Sequence, residues 1–297
     1  MINKIHNENC LETMSRMEDN YVDLIITSPP YNKGYWSSNR NKNNGFKTKS
    51  RCIEYDNFDD KMNPTDYNEW QVNVITECLR ILKPTGSLFY NHQPIQKLHQ
   101  EINPLFIYDF PLKQTIIWNR KNTPKLDKSY FFPTIEYLFW IQKTKISRTK
   151  FNRKNSLFNK CIWDISPDVK NKFPAPFPEK LVENCILSCT DEGDIVYDPF
   201  SGSGTTAFVA KKLYRNYIGS ELGSLDISSQ RLNSIDMDYK KIDNIEIDGI
   251  DTKDYPDFCD AFIVSADYDG KPMTDAKIDE INNDGDFQHQ CIMNELQ

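Results

Sequence analysis

The chain has 297 residues, 38% of them hydrophobic, and a formal charge of −7. That length allows one large domain, or a domain of about 230 residues with an appendage. There is no run of about 18 apolar residues and no charged-then-apolar leader, so no membrane association is expected and the protein is placed in the cytoplasm. The eight cysteines include no CxxC pair and only four histidines accompany them, so free thiols in a reducing compartment are expected, with no metal site.

Ile2–Ile5 suits a short strand, and Cys10, Leu11, Met14 and Met17 have helical spacing. Val22–Ile26 is an apolar run that reads as a buried strand, stopped by Pro29-Pro30. Residues 33–57 are rich in Asn, Lys and Ser and lack periodicity, which predicts a long mobile loop; positions 33–51 hold six Lys/Arg and no acid. A helix is expected from Pro64, capped by Asn63 and ending at Lys83-Pro84, with Trp70, Val74, Cys78, Leu79 and Ile81 on its apolar side. Gly86–Asn91 should be the next strand, followed by a helix over about 94–103. Thr115–Trp118 and Glu136–Gln142 have the aromatic and β-branched content of strands.

Residues 120–172 carry thirteen Lys/Arg against four acids, with 143–172 short of apolar periodicity. Tyr35, Trp36, Tyr130, Phe131, Phe132 and Phe151 lie in or beside these basic segments. Cationic loops interleaved with aromatics suit a nucleic-acid backbone with stacking contacts, the alternative being a solvated basic face. An amphipathic helix is expected over Phe177–Cys189, then a strand at Ile195–Tyr197, a helix from Thr205 to Leu213, a strand at Tyr217–Ser220 and a helix around Ile227–Ile235. This alternation predicts an α/β fold with a doubly wound, mostly parallel sheet. Beyond 235 the composition changes. Residues 236–297 hold 17 acidic and 5 basic side chains, leaving +5 on the rest of the chain. A strand at Ala261–Val264, a turn at Asp269-Gly270 and a helix from Thr274-Asp275 through Ile281 mark this part as a small acidic module or tail.

Two strand ends carry the chemistry. Asp198-Pro199-Phe200-Ser201-Gly202-Ser203-Gly204-Thr205-Thr206 follows one strand, and Glu221 closes the next. Gly202 and Gly204 allow close backbone approach, the helix from Thr205 presents free amides, and the Glu221 carboxylate can accept from ribose hydroxyls. Asp198 can accept from an ammonium. These features suit a donor of the adenosylmethionine type, although Gly202-x-Gly204-x-x-Ala207 also satisfies a dinucleotide fingerprint. Ser28-Pro29-Pro30-Tyr31 separates the readings. An aromatic amine is a poor nucleophile until acceptors on its N–H bonds free its lone pair. The Ser28 hydroxyl and the Pro29 carbonyl can be those acceptors, with Pro30 stiffening the loop and Tyr31 stacking on a base flipped out of its duplex. Methylation at a ring carbon would need a nucleophilic cysteine, usually after proline, and no cysteine here follows one.

The chain resembles the amino-methylating DNA methyltransferases in which the catalytic motif precedes the cofactor motif. Tyr21–Asn32, Glu77–Gly86, Phe132–Trp140, Phe173–Val182, Asp198–Thr206 and Arg215–Leu222 carry the resemblance in the family's order, over most of residues 1–235. It implies a Rossmann-like methyltransferase fold with permuted motif order and S-adenosylmethionine as donor. It further implies double-stranded DNA as substrate and a short target-recognition region at 143–172, with the loop 33–57 facing DNA. Catalysis falls to Ser28, Pro29, Pro30 and Tyr31. Donor binding falls to Asn9, Cys10, Phe177, Asp198, Phe200, Gly202, Gly204, Thr205 and Glu221. Ser28 where adenine-specific members usually have Asp implies N4-methylcytosine, with adenine N6 as the rival. A catalytically dead DNA-binding relative and an RNA substrate are further alternatives. A homodimer and a cognate restriction endonuclease are candidate partners. Asn9 stands where the family often has Asp, and the acidic extension is atypical.

Overall fold

The structure is a computed structural model and describes residues 1–32, 59, 61–97, 100–121, 131–167, 177–234, 239–250, 258 and 260–296. The loop expected at 33–57 lies outside them. The chain divides into two units, Met1–Leu232 and Asn233–Gln297.

The first unit is built on an eight-stranded sheet. Its strands are β1 (Lys4–His6), β2 (Val22–Thr27), β3 (Leu82–His92), β6 (Leu112–Asn119), β7 (Ile135–Gln142), β8 (Ile162–Asp164), β9 (Ile195–Asp198) and β10 (Asn216–Ser220), in the spatial order β1-β10-β9-β2-β3-β7-β6-β8. The first five in that order run parallel, and β7 is antiparallel to β3 and β6. Alternation along β2 shows why the sheet is covered on both faces. Ile25 joins one core with Met14 of helix α1 (Cys10–Ser15) and Val74, Ile75 and Cys78 of helix α2 (Pro64–Ile81), and Val22 reaches the same core across a register shift in the ladder. Leu24 and Ile26 join another with Leu181, Val182 and Ile186 of helix α3 (Glu179–Cys189), Val209 of helix α4 (Thr205–Lys212) and Leu232 of helix α5 (Asp226–Ser234). The period of two in a strand sends Leu24, Ile25 and Ile26 to alternate faces, so a strand with apolar residues on both needs a helical layer on each.

Helix α2 starts as its cap dictates: the Asn63 side-chain oxygen accepts from the amides of Thr65 and Asp66, both at 3.0 Å, with proline in the first turn. Among the described residues the helix expected over 94–103 is absent. Ile95–Lys97 (β4) and Gln100–Ile102 (β5) pair antiparallel there, with Ile95 opposite Ile102. Isolated apolar residues in this polar stretch fit either period, and the pairing of the two isoleucines decides for strands. Within 143–172 the structure forms β8, which adds to β6 in parallel through Trp118 opposite Trp163.

The second unit pairs β11 (Ile242–Asp248), β12 (Phe262–Tyr268) and β13 (Lys271–Pro272) antiparallel. Helices α6 (Asp275–Asn282) and α7 (Gly285–Glu295) supply Ile278, Ile281 and Cys291 to a small core with Ile263 and Ala266. The acidic extension is therefore a folded module with its own core.

Candidate active site

Five parallel strands bring their C-terminal ends to one edge of the first unit, where open α/β sheets place ligands. The β2–β3 ladder reaches Thr27 opposite Tyr90 and goes no further, because Pro29 and Pro30 have no amide hydrogen to give it. The turn is fixed from two sides. The Tyr67 hydroxyl of α2 donates to the Pro30 carbonyl at 2.8 Å and contacts His92 Nε2 at 3.1 Å, and the Asn32 side-chain amide donates to the Met62 carbonyl at 2.7 Å. Among the described residues nothing donates to the Pro29 carbonyl. The Ser28 Oγ lies 2.7 Å from the Tyr31 hydroxyl.

Tyr31 is 8% exposed, and its hydroxyl meets a buried polar cluster. The phenol donates to Glu136 Oε2 at 3.2 Å, and Asn91 Nδ2 donates both to the Tyr31 oxygen and, at 2.7 Å, to Glu136 Oε2. Arg120 donates to the other carboxylate oxygen. Asn91 lies near the end of β3, Arg120 follows β6, and Glu136 lies near the start of the antiparallel β7, so all three reach the same edge.

The glycine loop follows the adjacent strand β9. Asp198 is buried and accepts from the hydroxyls of Thr27 (2.8 Å) and Thr206 (2.7 Å) and from the Phe200 amide (3.0 Å). Burial pushes its pKa up to about 6 against these hydrogen bonds. Glu221 Oε2 accepts from the Gly202 amide at 2.7 Å and Oε1 from the Gly223 amide at 2.9 Å, with Gly202 at φ +51. Each oxygen keeps a second lone pair for a further donor. The Phe200 ring lies 5.5 Å from Trp70, which is 6.0 Å from Tyr67, so α2 lines both loops.

Asn9 caps α1 by accepting from the Leu11 amide at 2.9 Å. Several of the other residues expected to hold the donor have visible structural duties. A Cβ on Gly204 would stand 2.7 Å from the Ser228 Cβ of α5, and its φ is +75, so glycine is required there by helix packing and a left-handed turn. The buried Thr205 hydroxyl accepts from Arg231 at 2.9 Å, and that guanidinium also donates to Glu179 at 2.7 Å, joining the loop to α3. Cys10 is a core thiol, its pKa pushed up to about 12 by burial. Phe177 is partly buried and packs on the core that α3 helps form.

Sequence reasoning passed over Thr27, Tyr67, Asn91, Arg120, Glu136 and Thr206 as site residues, and placed Trp70 only in a helix core. A signal existed for Glu136: it is the one acid in the apolar run Ile135–Gln142, and a carboxylate in a buried strand needs partners.

A Ser-Pro-Pro-Tyr loop bonded at its root to a glycine loop, at the edge of a mostly parallel sheet, defines the class: a Rossmann-like methyltransferase fold. The chain belongs to the N6/N4 DNA methylase family, whose model matches residues 22–227. It is 30% identical over 271 residues to the type II methyltransferase M.BglII of Bacillus subtilis, covering 78% of this chain and 69% of that protein. It is likewise 30% identical over 255 residues to M.HinfI of Haemophilus influenzae, covering 79% and 69%. Among solved structures it is similar in fold to PvuII DNA methyltransferase (cytosine-N4-specific), with TM-score 0.59 and 21% identity over 77% of this chain and 85% of that one. It is similar also to a DNA modification methylase of Thermus thermophilus, solved in complex with S-adenosyl-L-methionine, with TM-score 0.56 and 23% identity over 77% and 92%.

Proposed function

We propose that this chain is a type II DNA methyltransferase that takes S-adenosylmethionine as donor and forms N4-methylcytosine within a specific duplex sequence. The observation that carries the reading is the Thr27–Asp198 hydrogen bond, which locks the amine-directed loop to the glycine loop. Methyl transfer needs acceptor and donor within near-attack reach, and that contact holds the two loops together before either ligand arrives.

The residues present fit the donor. Gly202 turns its amide onto Glu221 and leaves the carboxylate lone pairs for a ribose diol, Phe200 and Trp70 offer aromatic surface, and Asn9 closes the neighbouring strand end. When bound, the donor supplies a methyl group activated by a sulfonium centre. The chain's own residues do the rest. Ser28 Oγ and the Pro29 carbonyl accept the two N–H bonds of an exocyclic amine, drawing its lone pair out of the ring. Tyr67 occupies the Pro30 carbonyl and so holds the turn in the orientation that presents Pro29. A base can meet these acceptors only outside its stack. Phe131, wholly exposed, and Phe132, 63% exposed, stand just before β7 at this edge, with Arg120 nearby, and suit contact with the opened duplex. Ser28 favours cytosine through the resemblance. Type II methyltransferases act beside a restriction endonuclease of the same specificity, which is the partner this reading supports.

The test is mass spectrometry of nucleosides from DNA of several sources incubated with protein and isotopically labelled S-adenosylmethionine. Label in N4-methylcytosine supports the reading, label in N6-methyladenine replaces the base and retains the chemistry, and no label with any DNA overturns it.

A further inference from the structure

The buried cluster around Tyr31 sets the direction of one proton. Glu136 is 5% exposed and paired with Arg120, so its carboxylate can only accept. Asn91 directs Nδ2 to Glu136 and to the Tyr31 oxygen, an amide orientation that the two oxygen neighbours enforce. The Tyr31 phenol has a single proton and gives it to Glu136 Oε2. The 2.7 Å contact between Tyr31 and Ser28 must then be made with the Ser28 proton. Once that proton points at Tyr31, Ser28 Oγ has only lone pairs to offer the pocket.

We infer that Glu136 is a positioning residue that, through Tyr31, fixes the Ser28 hydroxyl as an acceptor and thereby makes the site select amino bases over their keto counterparts. The inference rests on the functional reading above. An amino group brings N–H to Ser28 and to the Pro29 carbonyl. A keto oxygen in the same place would face two acceptors and lose the hydrogen bonds it had in water. Sites that leave buried polar groups unpaired against the wrong ligand discriminate strongly. A Ser28 free to rotate would turn its proton to the keto oxygen and accept either base. Arg120, Glu136, Asn91 and Tyr31 remove that freedom.

The test uses the recognition site mapped from DNA methylated by the unaltered protein. Duplexes carrying that site are made with the natural target base or with its keto analogue, uracil for cytosine or hypoxanthine for adenine. Affinities are measured by fluorescence anisotropy with S-adenosylhomocysteine present, for the unaltered protein, Glu136→Gln and Tyr31→Phe. The cost of opening each base pair is common to the three proteins and cancels when their keto-to-amino Kd ratios are compared. In Glu136→Gln the new amide donates to the Tyr31 oxygen and releases the phenol proton toward Ser28. In Tyr31→Phe the ring remains and only the relaying oxygen is lost, so this variant decides if the other fails to fold. Both are expected to lower the ratio about tenfold, while S-adenosylhomocysteine binds as before. A ratio within about twofold of the unaltered value in the folded variants overturns the inference. Failure of the unaltered protein to methylate any DNA overturns the functional reading and the inference together.

Discussion

Thr27 and Asp198 stand 171 positions apart in the chain and share a 2.8 Å hydrogen bond from the threonine hydroxyl to the carboxylate. Thr27 is the last residue of β2 and Asp198 the last of β9, so the bond joins the roots of the two loops that carry the motifs. Thr27→Val keeps the shape and removes the donor from a fully buried carboxylate. The expected cost is about 1–3 kcal/mol of stability, read by urea unfolding, with a fall in both donor affinity and transfer rate. Thr27→Ser should restore most of each. Equal activity in the valine variant would show that the loops hold their places independently.

Asp198 should also leave a mark on the pH dependence of stability. Its folded pKa of about 6 lies above the ordinary value of 3.8, chiefly through burial. A raised value means that the folded state holds the proton more tightly. The stabilisation is complete below the unfolded value and is lost as pH rises through 6. Asp198→Asn has no such titration and retains one acceptor oxygen. Relative to the unaltered protein, the variant should gain roughly 1–1.5 kcal/mol between pH 5 and pH 8. Unfolding curves at the two pH values test this, and a difference that is flat or of opposite sign refutes it.

Much of the sheet could be read from the chain because its central strands carry apolar residues on both faces, and helix α2 could be read from its Asn63-Pro64 start. Ser28–Tyr31 and Asp198–Thr206 were legible for a related reason: each is a short run whose backbone can do little else. The cluster behind Tyr31 was not legible. Asn91, Arg120 and Glu136 come from or beside three strands, and only the antiparallel insertion of β7 between β3 and β6 brings them together. Gly204 carries a constraint of a second kind. Its place in the motif was visible, but part of its need for glycine comes from Ser228, 24 positions later in the chain, and no local pattern reports that contact.

Gly204 therefore yields a prediction about folding as well as function. Gly204→Ala places a methyl group 2.7 Å from the Ser228 Cβ and a side chain on a residue with φ +75. The two penalties together should lower stability by roughly 2–4 kcal/mol. Ser228→Gly in the same protein relieves the contact and leaves the backbone strain, so thermal unfolding should show partial recovery. Recovery that is complete, or absent, would mean that only one of the two penalties operates.

Glu221 is where donor affinity should be most exposed to a single atom. Its oxygens accept from two different amides, Gly202 at 2.7 Å and Gly223 at 2.9 Å. Glu221→Gln must turn an NH2 toward one of those N–H groups, because a carboxamide has only one acceptor oxygen. The loop either loses a hydrogen bond or shifts, and the ribose hydroxyls lose an anionic partner as well. Calorimetric titration with S-adenosylhomocysteine should show affinity reduced about 10- to 100-fold, equivalent to about 1.4–2.8 kcal/mol. DNA affinity, measured on the same variant, should change little. Unchanged affinity for S-adenosylhomocysteine would place the ribose away from Glu221 and confine that carboxylate to bracing Gly202 and Gly223.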